Sequence, residues 1–378
     1  MNGPISGGAG TAGTARLLWE ACRRDPAPEA IWAALGAGAA PRRVVELAAA
    51  HGLVPLLRRA LAAAGALDEF GPAREVLDTA ADAFKMEALL LLPSAVSLAV
   101  RPLTEVGLEP VVMRGPAVAR RYPEPGLRPM GDIDVLLPES DHFRALAALR
   151  GAGWRVARPT ATDLYDTVLT HPEVPTLLLE LHYGLERNTQ RLTKLDPLAL
   201  WALRRPMDCA GTPAFGLPLT EELVVMAAHA GKPFHHFGRL LWIADLAMIV
   251  GDAARQGAAI DWDALRVVAD RARCRTVLTV ALAMAQRAGV VVPPGLVELP
   301  EGERHRPVMR QLLSVDWPLV SGEFDGFRRD YRLSMADRRA QRAKLRLVLA
   351  ASKHQVRSRL RRAVVTPQRM RQRASDAA

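Results

Sequence analysis

Residues 128–138 read RPMGDIDVLLP, and this stretch decides the fold. Asp132 and Asp134 are two residues apart and lead directly into the apolar run 135–137. Such a run predicts a buried strand, on which residues i and i+2 project from the same face of the sheet. Two neighbouring carboxylates repel each other, and burying them without a partner is unfavourable. A divalent cation removes both penalties, so the sequence predicts a metal site on this strand.

A third carboxylate, Glu180, lies in TLLLELHYGL at 176–185, which also predicts a buried strand. His182 follows two residues later and should share its face. Together Asp132, Asp134 and Glu180 predict a cup for two Mg²⁺ ions, with Mn²⁺ as the alternative, about 3.5–4 Å apart. One ion would hold nucleotide phosphates and the other would activate an attacking hydroxyl. Glu180 could also be a buried acid paired with an arginine, and His182 could simply orient a carboxylate.

The residues around these acids predict a phosphate-binding site. In MRGPAV, residues 113–118, a strand leads through Gly115 into a short helix, and such a turn brings backbone N–H groups close to a phosphate. Arg114 and Arg128 supply guanidinium donors suited to phosphate oxygens, although Arg128 could instead pair with Asp132 or Asp134. The predicted nucleotide-binding residues are Arg114, Gly115, Arg128, Gly131 and His182.

Two features further along the chain are less specific. His229 and Lys232 come at the end of an apolar helical pattern, LTEELVVMAAHAGK, where a structural role competes with substrate contact. The neighbouring His235–His236 pair has no matching metal ligands at useful spacing and is interpreted as a loop feature.

The order of helical and strand patterns predicts an α+β fold, with a small mixed sheet between mostly helical flanking regions. The apolar run at 86–100 is interrupted by Glu87 and Pro93, and we expect a buried helix there and no transmembrane segment. The predicted regions are a disordered leader at 1–14, a helical region at 15–104, the mixed core at 105–195, a helical domain at 196–330 and a basic helical tail at 331–378.

Charge and cysteine content indicate the possible partners of the protein and its compartment. Between Tyr331 and Ala378 there are fourteen Lys/Arg and two Asp, a net charge of +12, whereas the whole chain carries +10. This tail could pack on the body or bind an acidic partner, an anionic membrane surface or RNA, although it lacks the interleaved aromatics that stack on bases.

The three cysteines are far apart and match no disulfide framework or zinc spacing, so we expect a cytoplasmic protein. The high Ala and Arg content suggests a bacterial source.

The central motif resembles that of the uncharacterised nucleotidyltransferase family within the DNA polymerase β-like nucleotidyltransferase superfamily. The resemblance rests on VVMRGPAVARRYPEPGLRPMGDIDVLLP, and more weakly on LELHYGL and on the segment around His229, Arg239, Trp242 and Asp245. It covers roughly residues 30–250 and implies a nucleotidyltransferase fold for the core, with Asp132, Asp134 and Glu180 as metal ligands. Two positions differ from the family pattern, because Arg114 replaces the usual lysine and Glu180 the usual aspartate.

The sequence therefore predicts a Mg²⁺-dependent nucleotidyltransferase that uses a nucleoside triphosphate (NTP). The acceptor would be a hydroxyl on a peptide, a sugar or another small molecule, as in natural-product biosynthesis. Two alternatives remain open: a catalytically weak accessory protein that binds a peptide or protein, motivated by Arg114 and Glu180, and an RNA-directed transferase, motivated by the basic tail.

Overall fold

The structure is a computed structural model that describes residues 9–157, 165–186, 192–299 and 307–320, together with Tyr331, Ser334 and Met335. Residues 1–8 of the predicted leader and all but these three residues of the predicted tail lie outside the described residues. The described N-terminal region is helical, and its helices are α1 (Ala9–Ala21), α2 (Pro28–Gly36), α3 (Pro41–His51), α4 (Val54–Ala63), α5 (Pro72–Met86) and α6 (Leu92–Glu105).

Helix α1 corrects the predicted disordered leader. It begins at Ala9, and Thr14 on it is buried, so residues 9–14 are part of the fold. The physical reason is the absence of side chains at Gly10 and Gly13. A Cβ atom at Gly13 would lie 2.5 Å from the Ala34 carbonyl oxygen, and one at Gly10 would lie 2.7 Å from that of Gly38. The glycine content that suggested disorder therefore permits close packing of α1 on α2 and the turn after it.

The apolar run at 86–100 is helical but only partly buried, which corrects the prediction of a buried helix there. A π-helical turn at Glu87–Leu91 joins α5 to α6 and shifts the helical register. As a result Met86, Leu89 and Leu90 are exposed, whereas the apolar face from Leu92 onward is buried. By length and composition alone, Pro72–Glu105 could cross a membrane, and 28% of its most apolar stretch is buried in the fold.

In the described part of the chain, seven strands form one mixed sheet in the order β3-β4-β5-β2-β1-β7-β6. The strands are β1 (Val111–Met113), β2 (Asp132–Leu136), β3 (Arg155–Val156), β4 (Asp166–Thr170), β5 (Leu178–His182), β6 (Arg205–Cys209) and β7 (Thr212–Gly216). The central strand β2 is antiparallel to β1 and parallel to β5. Short helices α7 (Arg114–Ala119) and α8 (His142–Gly151) follow β1 and β2.

The hairpin of β6 and β7 extends the sheet beyond the predicted core, which ended at 195. Strand β7 pairs in parallel with β1, so residues 205–216 belong to the sheet and not to the helical domain predicted for 196–330. The sequence hid these strands because Pro206 and Pro213 interrupt them. Ala210 and Gly211, both with positive φ, form the two-residue turn typical of a hairpin.

The remaining described helices cover the other face of the sheet and the C-terminal region. They are α9 (Pro197–Ala202), α10 (Leu219–Ala230), α11 (Leu241–Arg255), α12 (Trp262–Arg271), α13 (Arg275–Arg287), α14 (Pro294–Val297), Pro307–Leu312 and Trp317–Val320. Arg121, just after α7, forms ion pairs with Glu222 of α10 and Asp252 of α11 at 2.8 and 3.0 Å. These contacts attach α10 and α11 to α7, which follows strand β1. The acids lie beside this strand and helix.

Candidate active site and metal centre

The pairing of β2 with β5 brings the three predicted acids to one face of the sheet. Asp134 is the direct partner of Glu180, and Asp132 is the partner of Leu178 one step earlier. Because paired residues on neighbouring strands share a face, Asp132, Asp134, Glu180 and His182 all project from the same side. The intervening residues Ile133, Val135, Leu179 and Leu181 project from the opposite side, into the core formed with α6 and α8.

Asp134, Glu180 and His182 form the tightest cluster on this face. Each offers one ligand atom, and these three atoms lie within 4.8 Å of one another. His182 Nε2 lies 2.7 Å from Asp134 Oδ1 and 3.2 Å from Glu180 Oε2. The side chains of Asp134 and His182 are buried, whereas the Glu180 side chain remains 24% exposed. Glu180 is therefore the member of the cluster most open to a ligand.

Arg114 reaches this cluster from the turn between β1 and α7. Its Nη2 donates to Asp134 Oδ1 at 2.5 Å and lies 2.6 Å from His182 Nε2, while its Nη1 donates to His229 Nδ1 at 2.7 Å. Its backbone has φ +50°, a left-handed conformation that is strained for any residue with a Cβ atom. A strained turn thus directs a buried guanidinium towards the acids, and His229 positions it from α10.

The two aspartates on β2 have pKa values that are shifted in opposite directions. Burial and the nearby Asp134 raise the pKa of Asp132 to about 6. Burial would also raise the pKa of Asp134, but Arg114 and the hydrogen bond with His182 offset it and bring this pKa down to about 2. Asp134 is the stronger acid because Arg114 favours its charged form, whereas Asp132 forms no ion pair with any described residue and is the weaker acid.

His182 occupies the base of the cluster. Burial and Arg114 lower its pKa, but the hydrogen bonds with Asp134 and Glu180 outweigh them, and the net shift is upward. The Tyr165 ring stacks on the imidazole with centroids 5.7 Å apart. The buried Nδ1 of His182 has no hydrogen-bond partner in the described part of the chain. The imidazole is thus held beneath the acids and not at the mouth of the site, and the sequence-based nucleotide-binding role remains a prediction.

Gly115 and Gly131 lie on either side of Asp132. A Cβ atom at Gly115 would lie 3.0 Å from the Asp132 carbonyl oxygen, so the start of α7 packs directly on β2. Gly131 is exposed, and a Cβ atom there would meet nothing within 4 Å. The close approach of Gly115 explains the glycine sterically, whereas the predicted nucleotide contacts of both glycines remain predictions.

Arg128 is engaged elsewhere than the sequence alternatives suggested. Its Nε and Nη2 donate to the two oxygens of Asp245 at 2.8 and 2.9 Å, and the Tyr122 hydroxyl donates to the same carboxylate at 2.7 Å. Arg128 thereby anchors the loop before β2 to α11. Its Nη1 lies 3.7 Å from the position that a Gly115 Cβ would occupy, so one end of the guanidinium still faces the turn.

Sequence reasoning missed Asp166 and gave Asp245 no role. Asp166 on β4 pairs with His182, projects from the face of the acids and is buried, which raises its pKa. Its strand is short and carries no long apolar run, so periodicity alone could not have identified it. Asp245 lies in an apolar helical pattern, and only a charge amid that pattern could have signalled a buried ion pair.

The residues present fit a divalent cation. Both carboxylate oxygens of Asp132 and Oδ2 of Asp134 accept no hydrogen bond from any described residue, since Arg114 and His182 engage only Oδ1. Carboxylate oxygens without donors are the ligands that Mg²⁺ and Mn²⁺ prefer, and a cation would relieve the repulsion that raises the pKa of Asp132. The cluster can therefore hold a divalent metal ion beside an arginine.

The chain belongs to the uncharacterised nucleotidyltransferase family, whose sequence profile matches residues 38–288. That range contains every residue of the cluster described above. Neither the curated proteins nor the solved structures gave a match. The family and the mixed sheet flanked by helices confirm the predicted fold class, and membership indicates a transferase that uses an NTP.

Proposed function

We propose that the protein is a Mg²⁺-dependent nucleotidyltransferase that transfers a nucleoside monophosphate from an NTP to a hydroxyl group. The observation that carries this proposal is the placement of Asp132, Asp134 and Glu180 on one sheet face beside the buried Arg114. An acidic cluster next to a fixed guanidinium suits a polyanionic substrate that arrives with a metal ion.

In the proposed reaction the acceptor oxygen forms a bond to the α-phosphorus of the NTP. The bond from that phosphorus to the bridging oxygen breaks, and the electron pair leaves with pyrophosphate. Glu180, whose side chain is 24% exposed, accepts the hydroxyl proton. Arg114, held by His229 and bound to Asp134, acts through its positive charge, which favours the negative charge that develops on the nearby phosphate oxygens.

Asp132, Asp134 and Glu180 would hold the metal. When bound, Mg²⁺ or Mn²⁺ neutralises phosphate charge and polarises the reacting oxygens. His182 orients Asp134 through the 2.7 Å hydrogen bond and so presents Oδ2 to the ligand. Two ions in this site, and the nucleotide contacts of Gly115, Gly131 and Arg128, are part of the proposal.

The proposed reaction requires an acceptor that carries a hydroxyl group. We propose a peptide, a sugar or another small hydroxyl compound in a bacterial biosynthetic pathway, with the protein acting in the cytoplasm.

Calorimetric titration with each NTP, in the presence and absence of Mg²⁺, tests the proposal. The wild type should bind at least one NTP only when Mg²⁺ is present, and the double variant Asp132→Ala, Asp134→Ala should lose this binding. A control variant, Asp263→Ala, removes a carboxylate that is 92% exposed and should bind like the wild type. Metal-independent binding, or equal binding by the double variant, would contradict the proposed site.

A second candidate is a nucleotidyltransferase-fold protein that binds a peptide or protein partner without turnover. It is favoured by the hydrogen bond of Arg114 to Asp134, because this bond occupies a carboxylate oxygen that catalysis could otherwise use. Mg²⁺-dependent NTP binding with no pyrophosphate release, whatever hydroxyl acceptor is supplied, would support this candidate over the enzyme.

A further inference from the structure

Lys232 is a largely buried cation that has no ion-pair partner among the described residues. It lies directly after α10, and the turn that follows is fixed by hydrogen bonds from the His235 and His236 amides to its carbonyl oxygen. Its ammonium nitrogen lies over the Tyr165 ring, 5.2 Å from the centroid. Tyr165 in turn stacks on His182, so Lys232 lies close to the acidic cluster.

The neighbouring charges are already engaged by other groups. Arg114 is bound to Asp134 and His229, and Arg128 is bound to Asp245. Glu186, which lines a small cavity with Lys232, accepts hydrogen bonds from the Leu192 and Thr193 amides and from the Thr193 hydroxyl. The Lys232 ammonium is therefore a cationic donor beside this cavity that no described residue engages by a hydrogen bond or an ion pair.

A charge in this position is unfavourable without a ligand. Burial and the neighbouring Arg114 lower the pKa of Lys232 to about 8, so the side chain remains mostly protonated at neutral pH. The face of Tyr165 compensates a buried ammonium only in part, and the acids of the cluster act on it from beyond hydrogen-bond distance. An ammonium whose three donors no described residue uses, next to an acidic cluster, matches a phosphate group that lies between the two.

We propose that Lys232 binds a phosphate oxygen in the part of the NTP that leaves as pyrophosphate. This inference rests on the proposed function, because it requires a metal-bound polyphosphate at the acidic cluster. In this arrangement the acids would hold the metal, which would neutralise phosphate charge, and Lys232 would donate to the leaving phosphates from the α10 side. A competing interpretation is that Lys232 only balances the negative charge of the acids.

Two titrations separate these interpretations, one with Mn²⁺ alone and one with inorganic pyrophosphate at saturating Mn²⁺. The Lys232→Met variant should bind Mn²⁺ as tightly as the wild type or more tightly. Its affinity for pyrophosphate should fall about 10- to 100-fold, the range for the loss of one charge-assisted hydrogen bond. The matched control is Lys194→Met, which removes an exposed lysine and should change neither affinity.

Unchanged pyrophosphate affinity in a folded Lys232→Met variant would overturn the inference and leave the proposed function intact. Failure of the wild type to bind Mn²⁺ and pyrophosphate would overturn both. Thermal unfolding reports whether the variant folds. If Lys232→Met is unstable, Lys232→Gln retains a polar end for the cavity, and the same loss of pyrophosphate affinity is expected with the same criterion.

Discussion

Two buried arginine–aspartate pairs flank the loop that carries the RPMGDID motif, and they differ in how completely they are satisfied. In the pair between Arg128 and Asp245, both carboxylate oxygens and two guanidinium nitrogens are used, and Tyr122 adds a third donor. In the pair between Arg114 and Asp134, one guanidinium nitrogen contacts one carboxylate oxygen, and His182 competes for the same oxygen.

This difference separates an anchor from a site. A bidentate pair whose two carboxylate oxygens both have donors mainly stabilises the arrangement around it, and only the Nη1 end of Arg128 still faces the turn at Gly115. The pair at Asp134 leaves Oδ2 without a donor, and Arg114 Nε and His182 Nδ1 are buried without described partners. Unfilled hydrogen-bonding capacity in a buried cluster is unfavourable for stability and is typical of a site that is completed by its ligand.

The anchor should show the largest effect on stability. In Asp245→Asn the buried Arg128 loses its counter-charge, and the free energy of unfolding should fall by about 3–5 kcal/mol. Denaturant unfolding monitored by circular dichroism measures this change. The control is Asp25→Asn, which breaks an ion pair with Arg255 whose two side chains are 67% and 60% exposed and should cost less than about 1 kcal/mol. Equal losses in the two variants would show that the Asp245 pair is not a special anchor.

At the site the corresponding change should affect binding more than stability. Asp134→Asn retains a carbonyl oxygen for Arg114, and the carboxylates of Asp132 and Glu180 remain nearby to balance that guanidinium. We expect Mg²⁺-dependent NTP affinity to fall more than about 100-fold, which corresponds to about 2.7 kcal/mol, with a stability change of about 1 kcal/mol or less. Calorimetry and unfolding on the same sample test both parts. A variant that unfolds like Asp245→Asn would assign Asp134 a structural role.

The raised pKa of Asp132 makes the stability of the site depend on pH. Its pKa is about 6 in the folded protein against 3.8 for an unperturbed aspartate, because burial and Asp134 disfavour its charge. A raised carboxyl pKa stabilises the fold below about pH 4, and this contribution is lost as the pH rises through 6. Metal-free Asp132→Asn should therefore match the wild type at pH 4 and be about 1–2 kcal/mol more stable at pH 7, after allowance for solvent screening. Unfolding in a chelator at both pH values checks this, and a constant difference between them would contradict it.

The central strands were predictable because their apolar runs and the alternate spacing of their acids both indicate a buried strand. RPMGDIDVLLP and TLLLELHYGL each specify a buried strand with acids at alternate positions, and the structure pairs Asp134 with Glu180 as neighbours. What the sequence could not give is the register between strands and the partners of long side chains. Arg114 and Arg128 look equivalent as letters, yet one points to Asp134 and the other to an aspartate on α11, 117 residues away.

The sequence signals that failed were local preferences that tertiary contacts outweigh. The hairpin at 205–216 contains prolines and has no alternating pattern, and its position at β1 depends on a long-range parallel pairing. Helix α1 contains glycines that local propensity penalises, but tertiary packing against the Ala34 and Gly38 carbonyls requires them. In both cases a tertiary contact outweighs the local preference, and a single sequence does not display such contacts.

The smallest expected effects come from the two glycines beside Asp132. Gly115→Ala places a methyl group 3.0 Å from the rigid Asp132 carbonyl oxygen, so the start of α7 must shift away from β2. The loss should be about 1–2 kcal/mol of stability, with weaker Mg²⁺-dependent NTP binding because Asp132 moves with its strand. Gly131→Ala meets nothing within 4 Å and should leave stability within about 0.5 kcal/mol of the wild type. If Gly131→Ala nevertheless weakens NTP binding, the substrate approaches the backbone at Gly131, as the sequence predicted. If it leaves binding unchanged while Gly115→Ala weakens it, Gly115 acts by positioning Asp132, and the nucleotide lies on the Glu180 and Lys232 side of the cluster.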